Sequence, residues 1–138
     1  MRNVRDSFLR FLADNLQTSN IPVHNVRRDT DNPDANQLQN NAVNVTFLNA
    51  NLTTTVSQQV VSVDVVANNE LSAIDWATTL WRILSGAFMT PCLDYTNSSS
   101  PVPTGTNVFW NRTSIRFRPV ADDFFFRYTA TFPLETHI

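Results

Sequence analysis

The chain has 138 residues and a mass of 15.6 kDa, with 42% hydrophobic, 11% aromatic and only 16% charged residues. This fits one domain that buries roughly 70% of its extended-chain surface, and it excludes a disordered or highly charged solvating chain. The formal charge of -2 and a pI near 5.5 argue against generic nucleic-acid binding, where phosphate neutralisation calls for a basic excess.

Apolar residues at Val4, Phe8, Leu9, Phe11, Leu12 and Leu16 recur at helical spacing, predicting a helix from Asn3 to Leu16 with Asn3 as its cap. Ile21 to Arg27 is a short strand opened by Pro22. Residues 28–41 are polar and hold Pro33, which predicts a long exposed loop. Ala42 to Leu52 alternates through Val43, Val45 and Phe47, then changes parity to Leu48, Ala50 and Leu52, as a bulged strand does. Thr55 to Ala67 alternates again, and the two strands form a hairpin around Asn51 to Thr54.

From Glu70 to Ala87 the period becomes helical, with Leu71, Ile74, Ala77, Leu80, Trp81 and Leu84 behind the capping residue Asn69. Trp76 and Trp81 lie five residues apart, on nearly opposite sides, so at most one can face the core. Residues 89–107 contain three prolines, three consecutive serines and Gly105, and read as a second long loop. Two strands, Val108 to Arg118 and Asp123 to Pro133, close the chain. The expected class is α+β: a mixed, mainly antiparallel sheet with two principal helices packed on it, in the order α-β-β-β-α-β-β and in a single domain spanning 1–138.

Pairing Phe117 with Phe124 sets Ile115 against Phe126, Thr113 against Tyr128, Phe109 against Phe132 and Arg118 against Asp123. Phe124, Phe126, Tyr128, Ala130 and Phe132 then point inward, and Trp110, Arg112, Arg116, Phe125 and Arg127 share the outer face. Such a mixture of aromatic rings and guanidinium groups suits a contact surface, the alternatives being a plain solvated sheet face or one covered by the chain's own helix. All ten basic residues are Arg. Genomic bias or chance explains that more readily than the preference of interfaces for planar, bidentate cations.

Chemistry-bearing patterns are few. A single cysteine, Cys92, and two histidines, His24 and His137, exclude an intrachain disulfide and a His/Cys zinc site. Two glycines leave no phosphate-cradling loop. Asp29, Asp31 and Asp34 resemble the start of a calcium loop, but Pro33, the missing glycine and Asn40 in place of a bidentate Glu break the match, leaving a solvated acidic loop. His24 with Cys92 and Asp94 lacks any nucleophile signature, and Asp122-Asp123 reads as turn chemistry. The Asn-x-Ser/Thr matches at Asn44, Asn51, Asn97 and Asn111 are those expected by chance in a chain rich in Asn and Thr. No catalytic, cofactor-binding or metal-binding residue is assigned. With no bilayer-length apolar run and no signal-peptide block, the chain reads as soluble and unexported.

The element order, from N-terminal helix, short strand and hairpin (Val43 to Ala67) to long helix (Leu71 to Ala87) and terminal hairpin, resembles the tail terminator (tail completion) proteins of long-tailed bacteriophages, which are similar in size. The resemblance implies a non-enzymatic virion protein, assembled in the host cytoplasm, whose hexameric ring caps the tail tube and ends its polymerisation. Its partners would be other copies of the chain, the tube protein, the sheath protein where a tail has one, and a neck or connector protein. DNA would pass through the ring without sequence-specific binding, and no membrane is involved. The acidic loop (Asp29, Asp31, Asp34) and the outward Arg face would supply opposite charges at the subunit contacts. A neck or head-tail stopper protein is the nearest alternative, with a small enzyme or a nucleic-acid module further off.

Overall fold

The computed structural model describes residues 2–26, 38–52, 56–96 and 100–137. The expected loop over residues 28–41 lies, up to residue 37, outside the described residues, as do Asp29, Asp31 and Asp34. The fold is α+β, with two helices and a mixed, mostly antiparallel seven-stranded sheet among those residues, and the expected element order is kept. In chain order the elements are α1 (Arg2–Leu16), β1 (Val23–Val26), β2 (Ala42–Leu52), β3 (Val56–Ala67), α2 (Glu70–Gly86), β4 (Met89–Asp94), β5 (Val102–Phe109), β6 (Arg118–Val120) and β7 (Phe126–His137). The strands run β1-β2-β3-β7-β5-β4 across the sheet, with β6 also on β7, and only the β1–β2 pair is parallel.

Alternation in three neighbouring strands builds the core. Val43 pairs with Val65, Val45 with Val63 and Phe47 with Val61, while Val61 and Val63 meet Phe132 and Ala130 of β7 on their other side. The resulting apolar face is covered by both helices. α1 contributes Val4, Phe8, Leu12 and Leu16, every fourth residue, and α2 contributes Ala73, Ala77, Leu80 and Leu84. The parity change expected in β2 is present as a register shift between Phe47 and Ala50. Asn69 caps α2, its side chain accepting the Ser72 amide at 2.8 Å.

Asn3 is not a cap. It lies inside α1, and its Oδ1 accepts the Tyr95 amide at 3.1 Å, while Ser7 Oγ accepts the Leu93 amide at 2.8 Å. α1 therefore satisfies two amides at and just beyond the end of β4, a sheet-edge strand that would otherwise present bare donors.

The segment 89–107 also departs from expectation. Most of it forms the antiparallel pair β4–β5, whose register slips between Pro91 and Leu93. Gly105, at φ 84°, supplies the backbone conformation that this irregularity needs. Pro91 is tolerated because β4 is an edge strand.

Val108 to Arg118 is not one strand. β5 ends at Phe109, Arg112–Ser114 is a 3-10 turn, and β6 starts at Arg118. Asn111 drives the break, since its Oδ1 accepts both the Thr113 amide and the Thr113 hydroxyl and its carbonyl accepts Ser114 Oγ. The expected terminal hairpin is replaced accordingly. β7 pairs with β3 along its whole length, and its other edge is shared by β5 (Phe109 opposite Glu135) and β6 (Arg118 opposite Thr129). Phe117–Phe124, Arg118–Asp123 and the other proposed pairs do not form, and Phe124 and Phe126 are exposed rather than inward.

Candidate interaction site

The five residues expected to share one outer face are divided by the Asn111 turn. Trp110 is buried, its Nε1 donating at 2.8 Å to the carbonyl of Leu84 near the end of α2, where backbone acceptors lack helical partners. Its ring meets Phe8 edge-on at 5.7 Å and Phe11 at 5.1 Å. Arg127 is turned onto its own sheet, where Nε and Nη2 donate to Asp64 Oδ1 at 3.0 and 2.8 Å. Asp64 is 4% exposed and also accepts Ser62 Oγ at 3.3 Å. Both residues are therefore structural, and the expected contact role for Trp110 and Arg127 is corrected.

Arg112 and Arg116 remain at the surface. Arg112 lies 5.8 Å from the centre of the exposed Phe88 ring, a cation–π contact. Arg116 lines a groove of about 570 Å³ between α2 and the stretch leading into β6. Ile74, Ala77 and Trp81 form its α2 wall; Ile115, Phe117 and Tyr128 form the other. Arg118, which the sequence reading left out, lines it too, and among the described residues neither the Arg116 nor the Arg118 guanidinium has a hydrogen-bond or ion-pair partner.

The apolar band of α2 is wider than its buried face. Leu71, Ile74 and Trp81, part of the helical apolar spacing, form with Thr78 a second stripe, 75%, 39% and 48% exposed at the three apolar positions. Trp76 is half-buried against the core, so one tryptophan faces inward and the other outward, as the spacing requires.

Phe125 belongs to the turn between β6 and β7. Asp122 Oδ1 accepts the amides of Phe124 and Phe125 at 2.9 and 3.1 Å and closes this turn. The same two hydrogen bonds, Phe124 first, hold the Asp122 carboxyl below its ordinary value, with a smaller pull from Arg127. Phe124 at the tip is 84% exposed, its ring 6.4 Å from that of Phe125. The run Asp122-Asp123-Phe124-Phe125-Phe126 carried the signal: three adjacent aromatics after two turn-forming acids cannot all face a core.

His24 and Cys92 sit on β1 and β4, at opposite edges of the sheet, so the fold does not bring them together. Among the described residues no group of three His, Cys, Asp or Glu side chains gathers in a metal-holding cluster, and no helix is long and apolar enough to cross a membrane. No protein-family model matches the chain, and no match is found among curated proteins.

Proposed function

We propose that this chain is a structural virion protein that forms a ring on the end of a phage tail tube, stops tube growth and offers its outer surface to the neck or connector. The observation that carries the reading is the exposed apolar stripe of α2 beside two unpartnered guanidinium groups and an aromatic tip. Contiguous apolar surface of this kind marks contact with another macromolecule. A closed ring needs two different complementary patches on each subunit, and a groove and a projecting turn are two such patches. The length of the chain and its order of elements, resembling tail terminators, support a ring on a tail over other macromolecular contacts. Its partners are copies of itself, most simply six, the tube protein, a sheath protein where the tail has one, and the neck protein.

Mixing the purified chain with the polymerising tube protein of the same virion tests the reading. Electron microscopy is expected to show tubes closed at one end by a six-fold ring and no longer elongating. Tubes that lengthen equally with and without the chain, and bear no ring, would overturn it.

A further inference from the structure

The groove on α2 and the β6–β7 turn are complementary in shape and in charge. The groove has an apolar floor, and Arg116 and Arg118 line it without partners among the described residues. The turn projects one aromatic ring, Phe124, directly after two carboxylates, Asp122 and Asp123. At about 570 Å³ the groove falls in the range that encloses small ligands, ample for one phenyl ring and its flanks. Phe124 does not fill the groove of its own chain, because it is 84% exposed. The two features adjoin: Tyr128 lines the groove and also the hollow beneath the turn.

We infer that the groove between α2 and the stretch 115–118 receives the Asp122–Phe125 turn of a second copy of this chain. Phe124 inserts between Ile74, Trp81 and Phe117, while Asp123 and Asp122 meet Arg116 and Arg118. The amides of Phe124 and Phe125 already hold the turn closed through Asp122, so little ordering cost falls on association. An anchor ring in an apolar slot flanked by opposite charges is the arrangement that concentrates binding energy at an interface. The contact gives the proposed ring its subunit joint and rests on that reading only for its symmetry, since adjoining sites could also engage reciprocally in a two-fold dimer.

The test is to measure association of the full chain across concentration by sedimentation in the analytical ultracentrifuge. Phe124→Ser, at an exposed position, is expected to keep the circular dichroism and melting of the parent while weakening association roughly thirtyfold, the loss of an aromatic anchor. Arg116→Glu and Asp123→Arg should each weaken self-association about tenfold, and an equimolar mixture of the two should recover it in mixed oligomers. A parent chain that stays monomeric, a Phe124→Ser variant that associates like the parent, or a mixture no better than either variant alone overturns the inference and gives the groove to another occupant. A ring that forms without Phe124 sinks this joint and leaves the proposed function; a Phe124-dependent dimer without a ring keeps the joint and sinks the tail reading.

Discussion

Arg127 and Arg116 lie eleven residues apart, belong to the same stretch of aromatic-rich sequence and do opposite things. Arg127 is drawn onto the sheet by Asp64, which is nearly buried and needs a cation. Arg116 lines an apolar groove with no partner among the described residues. Strict alternation along Val108 to Arg118 and Asp123 to Pro133 would set them on one outer face. The Asn111 turn moves one of them to another surface. What separates the arginine held on its own sheet from the one that lines the groove is a carboxylate within reach, and Asp64 lies 63 residues away in sequence.

The comparison breaks most severely at Trp110, the other residue taken inward. Trp110→Ala removes a buried ring that touches both Phe8 and Phe11 and leaves the Leu84 carbonyl without its indole donor. A loss of about 4 kcal/mol is expected in denaturant unfolding. A loss under about 1 kcal/mol would show that the ring is a surface feature.

The pair itself gives the next largest effect. Arg127→Ala strands the Asp64 carboxylate with Ser62 alone and should cost about 3 kcal/mol. Asp64→Ala leaves Arg127, which is 28% exposed and can turn to water, so about 1 to 2 kcal/mol is expected. The double variant should cost less than the two losses added, because each single change counts the same broken pair. Arg116→Glu, by contrast, should move stability by no more than about 0.5 kcal/mol. Equal losses at Arg116 and Arg127 would erase the distinction drawn between them.

The sequence made the first two thirds of the fold legible where periodicity was local and uninterrupted. The every-fourth apolar residues of α1, the Asn69 cap of α2 and the Val43/Val65 hairpin each depend on neighbours in sequence or on one short connection. β4 escaped notice because Pro91, Cys92 and Leu93 carry no alternation, and such a strand is acceptable only at an edge supported by Asn3 and Ser7 of α1. The break at Asn111 had a visible cause, since Asn, Thr and Ser in four residues favour side-chain-closed turns, but an alternating apolar pattern continued across it. Of the expected contact residues, Arg112, Arg116 and Phe125 reach the surface, while Trp110 and Arg127 were claimed by partners distant in sequence. Arg118 and the Leu71–Trp81 stripe were hidden for a related reason: which of two adjacent apolar bands on α2 is buried depends on where the sheet lies, and the helix alone does not say.

The smallest effect lies at Asp122, and its sign follows from which state holds the proton more weakly. The amides of Phe124 and Phe125 donate to the carboxylate in the folded turn, so its value there is below the ordinary 3.8 that it has when unfolded. The turn gains from this above about pH 3.8 and loses it as pH falls through the lowered folded value. Arg127 adds a smaller attraction, and the Phe124 and Phe125 amide resonances report on Asp122 itself. Their titration by NMR should show a shared midpoint below 3.8, and it should vanish in Asp122→Asn, whose side-chain oxygen still accepts the amides but carries no titrating proton. A midpoint above 3.8 would mean that the turn is not held through this carboxylate, and Phe124 would then lose the preorganised display on which its difference from the buried Trp110 depends.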